Sequence, residues 1–130
     1  ASAPARLKWA LTAKPKVLIL ALGANDMLRG HSVAGMENNL SQTIALAQKE
    51  KIKVILCGIQ VPTNYGKDYA SQVEKVFKRL ATKFSVPLVP SILDGVAADP
   101  LLNQTDGLHP NEKGYIVIAE KLFPIVRKLL

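Results

Sequence analysis

Two continuous apolar runs, each followed by a longer segment with helical spacing, constrain the fold of this chain more than any other feature. The runs extend from Lys16 to Leu22 and from Lys53 to Ile59. Their unbroken apolar character is typical of parallel strands that are covered on both faces. A shorter run, Val86 to Pro90, predicts a third strand. Because strands that alternate with helices pair in parallel through right-handed crossovers, the sequence predicts an α/β fold.

Four helices are predicted around these strands. The first begins near Pro4, Ser32 caps the second, the third begins near Asp68, and Asn111 caps the last, which Pro124 should bend. The residues predicted to face inward are Leu7, Ala10 and Leu11 in the first helix, Val33, Met36, Leu40, Ile44 and Ala47 in the second, Tyr69, Val73, Val76, Phe77, Leu80 and Phe84 in the third, and Tyr115, Ile118, Ala119, Leu122 and Val126 in the last.

A single domain spanning residues 1–130 is predicted, since no linker, repeat or low-complexity segment interrupts the alternation. Three strands are few for this fold class, and each outer edge of the sheet would expose backbone donors and acceptors. One or two added strands beside the first would cover one edge. The chain also opens on Ala1 instead of Met, so we expect it to be part of a longer protein.

The composition excludes several other classes of protein. The net charge is +7, but the basic residues are scattered from Arg6 to Lys128 without a basic run or interleaved aromatic residues, which argues against nucleic-acid binding. No apolar run approaches the roughly 20 residues of a membrane-spanning helix. Cys57 is alone in an apolar run and is expected to be buried and inert. With only His31 and His109 beside it, a structural zinc site is not expected.

Ligands of open parallel sheets bind outside the carboxyl ends of the strands, where three loops of this chain lie (residues 23–31, 60–67 and 91–110). The last loop contains Asp106-Gly107-Leu108-His109-Pro110. A carboxylate three residues before a histidine can hold one ring nitrogen protonated and leave the other free as a base. The alternative is a turn aspartate and a helix-leading histidine with no joint role.

The first loop opens with Gly23-Ala24-Asn25-Asp26. Gly23 permits a sharp turn at the strand end, and the Asn25 amide is a neutral donor suited to a developing oxyanion. Asp26 is expected to tie the loop by accepting backbone N–H bonds. The alternative is that Asn25 and Asp26 form a simple polar turn.

These two motifs, GAND and DGLHP, resemble in order and placement the third and fifth conserved blocks of the SGNH (GDSL-type) hydrolases, and the resemblance extends over nearly the whole chain. The segments MLRG at 27–30 and VPTNYG at 61–66 look like those of the bacterial arylesterase, acyl-thioesterase and lysophospholipase group. The resemblance implies a three-layer α/β/α, flavodoxin-like parallel sheet, here without its first strand-helix-strand unit.

The resemblance also implies roles for individual residues. Asn25 matches the oxyanion-hole asparagine, His109 the general base and Asp106 the carboxylate that orients it. Arg29 either lines the pocket or stabilises its loop, and His31 is expected to be a surface imidazole. The residues expected to line the substrate pocket are Gly23, Leu28, Arg29, Pro62, Asn64 and Tyr65.

The nucleophilic serine of the family lies in a GDS block upstream of everything in this chain, as does the glycine of its second block. Ser91 follows the third strand, but no glycine-rich turn presents it, and no G-x-S-x-G elbow occurs. The other serines lie at a chain end, a helix cap, helix faces and a strand start: Ser2, Ser32, Ser41, Ser71 and Ser85. The resemblance thus implies a serine ester or thioester hydrolase that needs an N-terminal segment, either from the same polypeptide or as a separate cleaved chain.

Two other functions compete with hydrolysis. The first is a non-catalytic ligand-binding remnant of the same fold, which would keep the pocket and lack the nucleophile. The second is nucleotide binding, which the absence of a phosphate loop after any predicted strand disfavours. The hydrolase interpretation requires neither a metal nor an organic cofactor, and its partners are a small ester or thioester and the N-terminal segment. Resemblance alone favours a periplasmic or secreted location.

Overall fold

Three parallel strands form one sheet in the computed structural model, which describes residues 3–130. The strands are β1 (Val17–Leu20), β2 (Lys53–Cys57) and β3 (Leu88–Val89), and β2 lies in the middle. The predicted parallel pairing is confirmed, although each strand is shorter than its apolar run. Ala1 and Ser2, which entered the predictions on the chain start and on the serines, lie outside the described residues.

Within residues 3–130, five α-helices accompany the sheet: α1 (Ala3–Ala10), α2 (Ala24–Leu28), α3 (Val33–Lys49), α4 (Lys67–Phe84) and α5 (Glu112–Leu129). Short 3-10 turns occupy Leu11–Ala13 and Thr63–Tyr65. Both predicted caps are confirmed, since the side chains of Ser32 and Asn111 each accept a hydrogen bond from the backbone N–H three residues later at 3.0 Å. None of the described helices is long and apolar enough to cross a membrane.

The two faces of the sheet carry different helices because strand side chains alternate between faces. Leu20 and Leu56 pack with α1, α3 and α4 on one face, and Ile55 and Cys57 pack under α5 on the other. The result is a three-layer α/β/α arrangement. Cys57 is fully buried, as predicted, and this burial raises the pKa of its thiol to about 11.

The orientation of α5 differs from the prediction. Tyr115 and Ala119 were expected to face inward, but both are exposed, Tyr115 by 56%. A Cβ atom on Gly114 would lie 2.2 Å from the carbonyl oxygen of Leu102. This close approach turns the side of α5 that carries Gly114 and Ile118 toward the sheet and leaves Tyr115 at its margin.

Candidate active site

The segment from Asp106 to His109 forms a tight turn just before α5. The Asp106 Oδ2 atom lies 2.6 Å from Nδ1 of His109, and Oδ1 accepts the backbone N–H groups of Leu108 at 2.9 Å and His109 at 3.0 Å. Gly107 has φ of 68°, in the left-handed region that favours glycine. The predicted pairing of carboxylate and imidazole is therefore confirmed.

Both oxygens of the Asp106 carboxylate are engaged as acceptors. The hydrogen bond with the His109 side chain, followed by the two backbone N–H groups, lowers the pKa of Asp106 to about 2. The carboxylate is thus ionised at neutral pH and holds a proton on Nδ1 of His109. In the neutral imidazole with its proton on Nδ1, the opposite ring nitrogen, Nε2, is the atom that can accept a proton from a nucleophile.

A network of side-chain amides holds this turn in place. The Nδ2 group of Asn103 donates to the carbonyl oxygens of Val96 at 2.7 Å and Asp99 at 2.8 Å. Gln104 donates from its backbone to the His109 carbonyl at 2.8 Å and from its side chain to the Pro110 carbonyl at 3.1 Å. The sequence analysis placed residues 91–110 in a loop and gave no role to Asn103, a buried polar residue that is 8% exposed.

Asn111 joins the same network from the other side of the turn. Its Nδ2 group donates to the carbonyl oxygens of Leu101 at 2.9 Å and Asn103 at 3.2 Å, while its Oδ1 caps α5. The Asn111 side chain therefore holds the start of α5 against the backbone of residues 101–103. The only sequence signal for this network was the concentration of amide side chains on both sides of the DGLHP motif.

Asn25 lies in the first turn of α2, directly after β1. Helix α2 was predicted as loop; its N-cap is Gly23, which has φ of 119° and whose carbonyl accepts the N–H of Met27 at 3.0 Å. A Cβ atom on Gly23 would lie 3.1 Å from the Met36 sulfur, so glycine allows the turn to approach the core. The Asn25 side chain is exposed and makes no hydrogen bond to another residue of the described range, 3–130.

A cavity of about 370 Å³ adjoins Asn25. Gly23 and Arg29, two of the predicted pocket residues, line it, and so does His31, which was expected to have no role. Arg6 of α1 contributes a further basic side chain. The other predicted pocket residues are exposed and do not line this cavity: Leu28, Pro62, Asn64 and Tyr65. Their roles in substrate binding stay predictions.

Tyr65 belongs to the short 3-10 turn after β2 and stacks on Tyr69 of α4, with ring centroids 5.8 Å apart. Pro62 precedes this turn, and Asn64 lies within it. Aromatic stacking fixes the position of the Tyr65 ring against α4. The loop of residues 60–67 therefore lies at the carboxyl end of β2, as predicted, but none of its residues lines the cavity at Asn25.

Asn25 and His109 lie at the same end of the sheet. Asn25 follows the carboxyl end of β1, and the Lys53 ammonium group at the amino end of β2 donates to the Leu129 carbonyl at the end of α5. Because α5 ends at the amino ends of the strands, its beginning and the Asp106–His109 turn lie toward the carboxyl ends. This is the edge where ligands of open α/β sheets bind.

Metal ligands do not gather at this edge or elsewhere in the described chain: residues 3–130 contain no cluster of three or more His, Cys, Asp or Glu side chains placed to hold an ion. The chemistry that the described residues support is acid–base chemistry at His109, assisted by an ionised carboxylate. The Asn25 amide adds a neutral hydrogen-bond donor at the same end of the sheet.

Comparison with known proteins identifies relatives of this chain. Esterase TesA of Pseudomonas aeruginosa is 36% identical over 117 residues, which are 90% of this chain and 58% of TesA. Thioesterase 1/protease 1/lysophospholipase L1 of Escherichia coli K12 is 33% identical over 107 residues, 82% of this chain and 51% of the relative. The chain thus spans only about half the length of these curated relatives.

A solved structure shows the same fold. The psychrotrophic esterase EstA from Pseudoalteromonas, in a structure inhibited by monoethylphosphonate, superposes with a TM-score of 0.87 at 30% identity, and the match covers 97% of this chain and 69% of EstA. The family model of the GDSL-like lipases/acylhydrolases matches residues 1–117. The resemblance inferred from GAND and DGLHP is confirmed, and this chain belongs to the GDSL-like lipase/acylhydrolase family.

Proposed function

We propose that this chain supplies the general base, its orienting carboxylate and one oxyanion donor of a carboxylic ester or thioester hydrolase. The observation that carries the proposal is the 2.6 Å contact between Asp106 Oδ2 and His109 Nδ1, at the end of the sheet where Asn25 lies exposed. The relatives named above as esterase and thioesterase support the choice of substrate class.

In the proposed mechanism, His109 Nε2 takes the proton of a serine hydroxyl while the serine oxygen bonds to the carbonyl carbon of the substrate. The carbonyl oxygen becomes an oxyanion and accepts a hydrogen bond from the Asn25 amide. The tetrahedral intermediate collapses, the bond to the alcohol or thiol breaks, and His109 gives its proton to that leaving group. Asp106 stays ionised throughout and stabilises the imidazolium.

Deacylation repeats these steps with water as the nucleophile. His109 removes a proton from water, whose oxygen attacks the acyl-serine carbon, and Asn25 again binds the oxyanion. When the ester bond to the serine breaks, the proton on His109 passes to the serine oxygen and the carboxylic acid leaves. All bonds and protons balance without a redox step.

The serine itself is assigned to an N-terminal segment outside the 130 residues. Ser32 uses its hydroxyl oxygen to cap α3. The backbone carbonyl oxygen of Ser91 lies 3.5 Å from the Lys121 ammonium group of α5. Within residues 3–130, the His109 side chain is hydrogen-bonded to Asp106 and to no serine. A serine presented from outside this range therefore completes the proposed site.

The test is reconstitution. The purified chain is mixed with the part of the P. aeruginosa TesA polypeptide that precedes the residues matching this chain, and hydrolysis of p-nitrophenyl butyrate is followed. We call this mixture the complemented enzyme. Hydrolysis should appear on mixing and be lost with His109→Ala, and Asp106→Asn should lower kcat by roughly 10²–10⁴-fold. Asp94→Asn, an exposed carboxylate beside Lys121, is the matched control that should leave kcat unchanged.

Binding of the TesA segment without hydrolysis would contradict the proposal and favour the ligand-binding remnant. Hydrolysis that survives His109→Ala would contradict it equally, because the base would then lie elsewhere.

A further inference from the structure

Basic side chains gather at the end of the molecule opposite the candidate active site. The Lys53 N–H donates to the Lys16 carbonyl at 3.1 Å, and the Lys53 ammonium group donates to the Leu129 carbonyl. The starts of β1 and β2 therefore lie beside the end of α5. Seven exposed basic residues belong to the segments that meet here, and we call them the amino-end surface: Lys14, Lys16, Lys49, Lys51, Lys53, Arg127 and Lys128.

The amino-end surface accounts for nearly all of the net charge of the chain, although its residues are scattered along the sequence. The chain has 17 lysines and arginines and 10 aspartates and glutamates. Glu50 is the only acidic residue in the segments 14–16, 49–53 and 127–130. The surface thus carries a net charge of +6, seven basic residues less one acidic, and the other 10 basic and 9 acidic residues nearly cancel.

The charges of this surface are not neutralised by the rest of the described chain. Within residues 3–130, none of the seven side chains forms an ion pair with an aspartate or glutamate. Elsewhere, Lys78 pairs with Glu74 at 2.6 Å, and Arg79 pairs with Glu37 at 2.8 Å. The positive charge at the amino ends of the strands is therefore available to a partner.

Stabilisation of helix ends explains only part of this surface. Basic residues in the last turn of a helix interact favourably with its dipole, which accounts for Lys49 and Lys128. Lys14 and Lys51 have φ of 48° and 60°, in the left-handed region that glycine usually occupies after a helix. Because glycine would relieve the backbone strain at both positions, lysine is kept there at a cost in stability. This favours a role for the two charges outside the fold.

We propose that the amino-end surface binds a bilayer that contains anionic phospholipids. The negative potential of such a bilayer attracts each lysine or arginine near it, and the attractions add up over a cluster. Leu130, which is 76% exposed, follows Arg127 and Lys128 and adds an apolar side chain suited to the headgroup region. The surface thus fits a peripheral contact with lipid.

Two features favour a bilayer over a nucleic acid. Six of the seven residues are lysines, which act as point charges, whereas arginine is the residue that recognises phosphates through two parallel hydrogen bonds. The segments 14–16, 49–53 and 127–130 also contain no aromatic residue on which a base could stack. A surface of this composition suits many mobile headgroups better than a fixed row of phosphates and bases.

This contact would set the orientation of the enzyme on the bilayer. The Asp106–His109 turn and Asn25 lie toward the carboxyl ends of the strands, and β2, with its five residues, separates the two ends by roughly 15 Å. The candidate active site would therefore face water. Resting on the proposed function, this orientation implies that the bound enzyme hydrolyses dissolved esters and not the lipids beneath it.

Sedimentation with vesicles tests the binding. The 130-residue chain and the complemented enzyme are each mixed with sucrose-loaded vesicles of phosphatidylcholine and phosphatidylglycerol, or of phosphatidylcholine alone. At low salt both proteins should sediment with the anionic vesicles only, and added salt should release them. The bound complemented enzyme should hydrolyse p-nitrophenyl butyrate with unchanged kcat and release no fatty acid from the vesicles.

A triple variant tests the position of the charge. Lys14→Gln, Lys16→Gln and Lys51→Gln together should lower the vesicle partition coefficient about 100-fold, since each lysine near an anionic bilayer contributes about fivefold. Lys53 is left unchanged because its ammonium group binds the Leu129 carbonyl. Circular dichroism checks the fold.

The matched control removes three exposed lysines that lie on α4 and α5 outside the amino-end surface: Lys67→Gln, Lys75→Gln and Lys113→Gln. Both triple variants have the same net charge, so a difference between them reports position alone. The control should lower the partition coefficient less than about threefold. If the first triple variant does not fold, Lys16→Gln with Lys128→Gln decides the test, with an expected loss of about 25-fold.

Equal losses in the two triple variants, or equal sedimentation with phosphatidylcholine alone, would overturn the inference. Tighter binding to a short DNA duplex than to the anionic vesicles would overturn it in favour of a nucleic acid. Binding by the chain but not by the complemented enzyme would also overturn it, because the added segment would then cover the surface. Vesicle binding by both proteins without any ester hydrolysis would contradict the proposed function and leave the amino-end surface standing.

Discussion

Gly114 and Leu102 approach so closely that a Cβ atom on Gly114 would stand 2.2 Å from the Leu102 carbonyl oxygen. The first turn of α5 is thereby held against the segment that carries the Asp106–His109 turn. The same Leu102 carbonyl accepts the N–H of Asn111, the N-cap residue of α5, at 2.9 Å. The cap and the first turn of α5 therefore both contact the Leu102 carbonyl, just before the Asp106–His109 turn. The placement of His109 thus depends on a glycine five residues away.

Gly114→Ala should destabilise the chain and lower kcat of the complemented enzyme. In an unconstrained helix, alanine is about 1 kcal/mol more favourable than glycine. A lower free energy of unfolding for Gly114→Ala would therefore result from the clash with Leu102. Gly35→Ala in α3 is the control, because the atom nearest to its new Cβ is the Ser32 hydroxyl oxygen, a side-chain atom, at 3.0 Å. Urea denaturation measures both variants, and a Gly114→Ala variant at least as stable as wild type would contradict the packing argument.

Asn103→Ala should loosen the same turn from the other side. It removes the Nδ2 donor from the carbonyl oxygens of Val96 and Asp99, which keep their backbone N–H donors, at a cost of about 0.5–1.5 kcal/mol in the free energy of unfolding for each hydrogen bond lost. Because Asn103 acts through the placement of His109, kcat should fall while KM for p-nitrophenyl butyrate changes little. Asn38→Ala, an exposed asparagine on α3, is the control. Loss of stability with full kcat would restrict Asn103 to a structural role.

The features predicted from sequence are those that depend on neighbouring residues. The Asp106–His109 pair lies within one turn, and the Ser32 and Asn111 caps each use a hydrogen bond across three residues. Local chemistry is enough to specify such contacts. The parallel sheet could also be predicted from the sequence, because unbroken apolar runs are typical of strands that are covered on both faces.

The missed features depend on contacts distant in sequence. The rotation of α5 follows from the approach of Gly114 to Leu102, which lies outside the helix and leaves no trace in its 3.6-residue pattern. Helix α2 needs Gly23 to fit beside Met36 and Phe77 of other helices. Asn103 reaches carbonyls four and seven residues back through an irregular segment whose path the sequence does not specify.

Asp106 should titrate far below an ordinary aspartate. Its pKa is about 2 in the folded chain, mainly because of the hydrogen bond with His109, against an ordinary value of 3.8. A lowered folded-state pKa stabilises the fold above the ordinary value, and that contribution is lost as pH falls from about 4 through 2. Carboxyl-carbon NMR should show the low pKa and its rise toward the ordinary value in His109→Ala. Identical titration curves in the two proteins would contradict the pairing in solution.

Asn25→Ala should lower kcat of the complemented enzyme by roughly 10²–10³-fold, the usual loss for one oxyanion donor. The fold should stay intact, because the Asn25 side chain makes no hydrogen bond to another residue in the described part of the chain. KM should change little, since the donor acts on charge that develops in the transition state. Asn38→Ala again serves as the control, and an unchanged kcat in Asn25→Ala would return Asn25 to the role of a polar turn residue.

The 130-residue chain by itself should show neither ester hydrolysis nor high stability. In the described part of the chain, the sheet has three strands and the outer edge of β1 at Ile19 pairs with no other strand. Trp9, Tyr115 and Phe123 are exposed apolar side chains. Burying an aromatic side chain contributes on the order of 1.5–3 kcal/mol to the free energy of unfolding. A chain that leaves three such side chains exposed therefore lacks much of the stability of a typical small domain. The urea midpoint should therefore rise when the TesA segment is added, and p-nitrophenyl butyrate hydrolysis should appear at the same stoichiometry. Robust hydrolysis by the purified chain alone would show that its nucleophile lies among these residues and not on an added segment.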